Sequence, residues 1–315
     1  MTQSTTSTTT AGPALSDYLQ FAALPIIWGS SFLFIKVALG GLSPVQVAWG
    51  RAVLGGTTLV LIALVTRRRW PRDRGLWLEM VPVSLLLTVA PFFLISWGGQ
   101  FIGSGLMSIF NATTPLWTML IAIAALPQER PTGRKYVALA LGFVGVLVLL
   151  NPWSITGASS LLGQVASLGA AACYGAGYVM LRRVIAKHDI SPITLAAMQV
   201  GIGGLLFVLA TPWVAMTRRP ELTPSVVVCI LLLGCIGTGV AYILNNNVVR
   251  SMGATTASMV TYLNPIVGVT LGVIVLAESV HWNEPLGALL VIGGILLGQQ
   301  GATPRPRTAP QAAED

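Results

Sequence analysis

The chain alternates between apolar runs of about 20 residues and short basic clusters, as in "LSPVQVAWGRAVLGGTTLVLIALVTRRRW" at positions 42–70. A run of that length is what a helix needs to cross the hydrocarbon of a bilayer, so the pattern restricts the chain to a narrow set of folds. Charged residues make up only 9% of the 315, against 54% hydrophobic, which leaves too little polar surface to dissolve a globule of this size. The reading is an all-α integral membrane protein.

Segmenting at the Gly, Pro and charge breaks predicts ten transmembrane helices, near 19–39, 45–66, 76–97, 104–126, 135–150, 162–181, 193–213, 226–249, 254–276 and 285–300. The fifth and tenth are short. Tails at 1–18 and 301–315 read as disordered, and the first carries no Lys or Arg before an apolar core, unlike a signal peptide. With the N-terminus in the cytoplasm, 14 of the 18 basic residues fall on that side, leaving only Arg218 and Arg219 outside and Lys36 and Arg51 within spans. The positive-inside rule therefore predicts that both termini are cytoplasmic. The net charge of +8 is a topology signal of this kind, and no nucleic-acid partner is expected.

The chain also repeats itself. "IWGSSFLFIKVAL" and "LSPVQVAWGRAVLGG" in the first half resemble "CYGAGYVMLRRVI" and "ISPITLAAMQVGIGG" in the second, with the Ser-Pro and Gly-Gly pairs in register. "SIFNATTPLWTML" likewise parallels "SMVTYLNPIVGVT", and Glu129 and Glu278 follow at matching places. Residues 19–150 and 162–300 are thus two five-helix units, and an odd helix number sets the second upside down relative to the first. Inverted repeats allow two conformations of similar energy around a site at their interface. A duplicated scaffold without transport is the plainer alternative.

The stretches "WGSSFLFIK", "SPVQVAWGR", "NATTPLWTMLIA…ALPQE" and "MVTYLNPIVGVTLGVIVLAE" resemble the EamA-domain exporters of the drug/metabolite transporter superfamily, over roughly residues 20–300. The resemblance implies a multi-pass transporter of a bacterial cytoplasmic membrane, with a cavity formed by the first four helices of each repeat. It also implies export of small metabolites such as amino acids, with multidrug efflux as the alternative. The superfamily's four-helix members use a Glu in the first helix, which this chain lacks there.

Candidate substrate contacts follow from the spans and the repeat. Lys36 and Arg51 are intramembrane charges in the predicted outer half. Each either attracts a substrate carboxylate or is structural: Lys36 by reaching the outer surface, Arg51 by pairing with Glu278. The repeat matches Trp28 with Tyr174, Phe32 with Tyr178, Arg51 with Gln199, Phe92 with Tyr242, Asn111 with Thr261 and Thr114 with Asn264. Residues 28 and 32, like 174 and 178, share a helix face and predict either aromatic cavity walls or packing.

Pro115 and Pro265 break their helices' hydrogen bonding and are candidate hinges, or else static kinks. Asn245, Asn246 and Asn247 sweep about 200° of helix and cannot all face one way. At least one amide is expected to point inward, with Asn246 at the cytoplasmic mouth of the pathway; an ordinary interfacial helix end is the alternative.

Several chemistries find no support. Cys173, Cys229 and Cys235 lie in apolar runs without metal-ligand spacing, so no disulfide, metal or other cofactor is expected. His188 and His281 lie outside the spans and Asp73 and Asp189 are isolated, so an enzyme is not expected. The expected partners are a small-molecule substrate and the lipid bilayer, and the short fifth and tenth spans hint at a homodimer seam.

Overall fold

Ser-Pro and Thr-Pro pairs start three of the long helices, for one physical reason. The hydroxyl accepts a backbone N–H that the first turn leaves free, while proline's fixed φ and missing N–H suit the first helical position. Ser43 takes the Gln46 N–H and the Gln46 side chain returns to the Ser43 N–H, opening α2, Pro44–Val65. Ser191 takes the Thr194 N–H to open α7, Pro192–Leu209, and Thr223 takes the Val226 N–H to open α8, Pro224–Met252.

The computed structural model describes residues 14–125, 132–151, 158–215, 219–252 and 260–299, and among them every regular element is helical. The other long helices are α1 (Leu15–Ala38), α3 (Arg74–Gly98), α4 (Ser104–Ala125), α5 (Gly133–Leu150), α6 (Ala158–Lys187), α9 (Val260–Leu276) and α10 (Asn283–Gln299). Among the described residues, seven stretches are long and apolar enough to cross a membrane: α1 to α5, α7, and the Pro224–Val248 part of α8. α9 and α10 are apolar but shorter, and the 30-residue α6 is less apolar.

The packing repeats as faithfully as the sequence. A Cβ on Gly56 of α2 would lie 3.0 Å from the Val200 carbonyl oxygen of α7, and one on Gly204 would lie 3.0 Å from the Ala52 carbonyl oxygen. These two contacts exchange repeat-related positions and run in opposite chain directions, so α2 and α7 cross antiparallel about a local twofold axis. The α5–α10 pair does the same: Gly145 approaches the Gly287 carbonyl to 2.9 Å and Gly294 approaches the Ala138 carbonyl to 2.7 Å by the same measure.

Off the axis, a Cβ on Gly29 of α1 would lie 2.6 Å from the Val267 Cβ of α9, and one on Gly175 of α6 would lie 2.7 Å from the Trp117 Cβ of α4. Small residues at these crossings let backbones approach closely, the usual source of association energy where lipid removes the hydrophobic driving force.

Both α3 and α8 widen at matching places, at Leu85–Val89 and Leu232–Val240, where the backbone turns to i→i+5 bonding. Gly55 faces Thr238 in one widened turn and Gly203 faces Thr88 in the other, each with 2.6 Å from a would-be Cβ to the threonine methyl. The largest apolar cluster joins the C-terminal end of α1 to the starts of α2, α4 and α8 through Ile35, Leu42, Val47, Met107 and Val226. A smaller one, with Leu76, Met80, Val184 and Leu195, joins α3, α6 and α7 at the opposite end.

Four expectations change. α7 stops at Leu209 rather than 213, because Pro212 cannot donate to the helix ladder and a separate turn, Thr211–Ala215, follows. α6 runs on to Lys187, carrying Arg182 and Arg183 on helical turns. α9 continues unbroken through Pro265, whereas α4 breaks at Ala112–Thr113, and Pro115 falls in the first turn of the resumed helix. The fifth helix, α5, is long enough to cross a membrane, unlike α10, and the two pack on each other. Glu129 and both expected tails lie outside the described residues, except that residues 15–18 of the first tail are helical and begin α1.

Candidate functional site

Arg51 lies in the first half of α2, two turns in from its start, with its guanidinium carbon 3.9 Å from the centre of the Phe92 ring on α3. Its Nε donates to Thr238 Oγ1 at 3.3 Å, and Thr238 donates onward to the Leu233 carbonyl, five residues back, at 3.0 Å. That last bond belongs to the widened turn, which holds the threonine hydroxyl where the arginine can reach it. Tyr174 and Tyr242 lie within electrostatic reach of the guanidinium. Among the described residues no carboxylate lies within 4.0 Å of it. A charge inside a span costs about 2.5–3.5 kcal/mol on insertion scales, and a ring face returns about 0.5–2 kcal/mol, so Arg51 is held but not neutralised.

The other half builds the same cradle with different groups. Gln199 takes the position of Arg51 and donates through Nε2 to the Tyr242 hydroxyl at 3.4 Å, where Tyr242 is the counterpart of Phe92. Thr88, the counterpart of Thr238, is fully buried and its hydroxyl has no hydrogen-bond partner. Trp28 donates through Nε1 to the Gly237 carbonyl at 3.0 Å and meets Tyr242 edge-on, with centroids 6.4 Å apart. Tyr174 and Tyr178 stack at 6.4 Å, and Tyr178 remains 49% exposed although it lies within α6.

The structure therefore brings together Trp28, Arg51, Tyr174, Tyr178, Gln199 and Tyr242. It adds Phe92, which the sequence marks only by its repeat match to Tyr242, and Thr238, which nothing in the sequence singles out.

The remaining candidates are placed elsewhere or differently. Phe32 is 5% exposed and belongs to the main apolar cluster. Lys36 donates to the carbonyls of Gly99 at 2.7 Å and Ile102 at 2.8 Å, at the turn between α3 and α4. Glu278 is not paired with Arg51: it accepts from the N–H groups of Ser104 at 2.7 Å and Gly105 at 3.1 Å and from the Ser104 hydroxyl at 3.1 Å. A carboxylate there satisfies free donors and complements the dipole of α4.

Asn111 and Asn264 each bury a side-chain oxygen without a partner, Thr114 donates to the Asn111 carbonyl at 2.7 Å, and Thr261 is partly buried. Pro115 is partly buried in α4 and Pro265 buried in α9. In the asparagine triplet, Asn246 buries an unpartnered amide nitrogen, while the exposed Asn247 donates to Gln20 Oε1 of α1 at 3.0 Å. One amide thus turns in and another reaches out to a neighbouring helix.

A polytopic helical bundle with two copies of one unit, close glycine crossings and a polar, aromatic centre between the copies defines a membrane transporter class. The chain belongs to the EamA-like transporter family, whose model matches residues 16–151 and 161–298. It is 25% identical over 280 residues to the uncharacterized transporter YoaV of Bacillus subtilis, covering 89% of this chain and 95% of that one. It is also 24% identical over 284 residues to the uncharacterized inner membrane transporter YedA of Escherichia coli, covering 87% and 88%. A solved crystal structure matches with a TM-score of 0.63 at 16% identity, covering 92% of this chain and 99% of that one, a likeness of fold alone.

Proposed function

We propose that this transporter exports small metabolites, amino acids or related compounds, by alternating access between two inverted five-helix repeats, with ten spans and both termini in the cytoplasm of a bacterium. The observation that carries the reading is Arg51: a guanidinium inside the bundle, stacked on Phe92 and without a carboxylate partner among the described residues. A substrate carboxylate would neutralise it, and the Trp28, Tyr174, Tyr178 and Tyr242 rings would receive the body of the solute. The exchange-symmetric glycine crossings support a rocking motion of one repeat against the other, since small residues let helices slide. Multidrug efflux of cations fits the aromatic rings but sets a cation against Arg51.

The test is efflux of preloaded radiolabelled amino acids from cells, comparing the natural chain with Arg51→Ala and Asn246→Ala at matched membrane levels. Faster exit of one solute class, lost in Arg51→Ala, is the expected result. No excess efflux of any amino acid would overturn the amino-acid reading and turn the search to organic cations. A silent Asn246→Ala would remove the asparagine triplet from the pathway.

A further inference from the structure

We propose that Gln199 is a specificity-determining residue: the site accepts one carboxylate, on Arg51, and Gln199 makes the repeat-related position an uncharged contact that selects against solutes with a second carboxylate. The inference rests on the transport reading above and deepens it.

The repeat keeps some groups of this site and changes others. Arg51 touches Phe92 and Thr238, and Gly55 one turn on packs against Thr238; the repeat-related set is Gln199, which touches Tyr242, with Gly203 one turn on packed against Thr88. A Cβ on Gly203 would lie 2.6 Å from the Thr88 methyl, the same distance at which one on Gly55 would lie from that of Thr238. The Thr88 hydroxyl waits buried and without a hydrogen-bond partner, where the Thr238 hydroxyl receives Arg51 Nε. The second half therefore retains the cradle for a guanidinium but not the guanidinium. In its place stands an amide, which gives one N–H to Tyr242.

Tyr242 links the two positions, being within electrostatic reach of Arg51 and hydrogen-bonded by Gln199. A solute spanning them meets one cation and one neutral amide. A second carboxylate placed against the amide would stay largely unneutralised inside the membrane, where an unpaired charge is costly. A neutral hydrogen-bonding group there finds a partner, and specificity arises from the charge withheld.

Proteoliposomes containing the intact chain test this with radiolabelled leucine, phenylalanine and glutamate. The natural chain is expected to move a neutral amino acid at least about tenfold faster than glutamate, a difference of about 1.4 kcal/mol. Gln199→Arg is expected to reverse the preference or to narrow it by about tenfold or more. Gln199→Glu, nearly isosteric, places a carboxylate beside Tyr242 to compete for Arg51 and is expected to slow neutral amino-acid transport about tenfold or more.

Glutamate moving as fast as leucine in the natural chain overturns the inference. So does an unchanged ratio in Gln199→Arg. If Gln199→Arg does not insert, Gln199→Glu decides alone, and neutral transport at the natural rate in that variant overturns the inference. Failure of the natural chain to move any of the three solutes overturns the amino-acid reading on which the inference rests, which the other outcomes leave standing.

Discussion

Arg51 stacks on Phe92 at 3.9 Å while its Nε reaches the Thr238 hydroxyl, so two separate features of the guanidinium, its flat face and its edge, are used at once. A lysine keeps the charge but has neither the plane nor an Nε. Arg51→Lys is therefore expected to insert normally and to bind a carboxylate probe about tenfold more weakly, near 1.4 kcal/mol. Arg51→Met is expected to lose measurable binding. Titration of purified protein with labelled leucine measures both, and a lysine variant binding as well as arginine would show that charge alone suffices.

The glycine facing each widened turn gives a second expectation. A Cβ at position 203 would sit 2.6 Å from the Thr88 methyl, a distance atoms do not sustain, so Gly203→Ala must displace α7 or the widened turn of α3. Overpacking of this kind costs about 1–3 kcal/mol. Thr88→Ser removes the offending methyl, although the 2.9 Å approach to the Thr88 Cβ remains. The double variant should therefore recover part of the lost thermal stability, and strict additivity of the two changes would contradict the contact.

Much of this architecture is legible in the chain because its causes are local. The helix starts at Pro44, Pro192 and Pro224 follow from a hydroxyl and a proline side by side, and the repeat marks Gly56 and Gly204 as partners before any contact is known. The site is less legible because its causes are tertiary. Nothing near Phe92 says that an arginine from another helix lies on it. The widened turns that place Thr88 and Thr238 also depend on the helices packed against them. Pro265 misled for the opposite reason: an internal proline removes one ladder bond, but in a membrane bundle neighbouring groups can satisfy the freed carbonyl and the helix continues. Intramembrane charge predicted two similar roles for Lys36 and Arg51, yet one finds a turn's carbonyls and the other an aromatic face.

Lys36 and Glu278 grip the two sides of the same turn, between α3 and α4. The ammonium holds the Gly99 and Ile102 carbonyls, and the carboxylate holds the Ser104 and Gly105 N–H groups. Both side chains are occupied in holding backbone, so their loss should appear in stability before it appears in substrate affinity. Glu278→Ala leaves two helix-terminal donors without acceptors and is expected to cost about 1–3 kcal/mol. Glu278→Gln keeps an acceptor oxygen and should cost less. Lys36→Met should lower the unfolding temperature while labelled-leucine affinity stays within about twofold, below the roughly 0.5 kcal/mol of a marginal contact. A large loss of affinity with unchanged stability would return Lys36 to the substrate path.

At the end of the bundle where α3 begins and α6 finishes, Lys187 Nζ and Glu79 Oε1 meet at 2.9 Å, and His188 lies 3.7 Å from the other Glu79 oxygen. The pair joins helices from different halves, so it marks a place where the repeats must move if access alternates. As an exposed ion pair it contributes little, and Glu79→Ala should leave stability and transport near their natural values. Holding the same two positions covalently should act differently. In a background with Cys173, Cys229 and Cys235 replaced, Glu79→Cys with Lys187→Cys joined by a short cleavable thiol-reactive linker is expected to stop efflux. Cleaving the linker should restore it. Efflux at the natural rate while the linker is intact would mean that α3 and α6 stay together through the cycle, and the moving seam would have to be sought at another crossing, with α2 and α7 the first to examine.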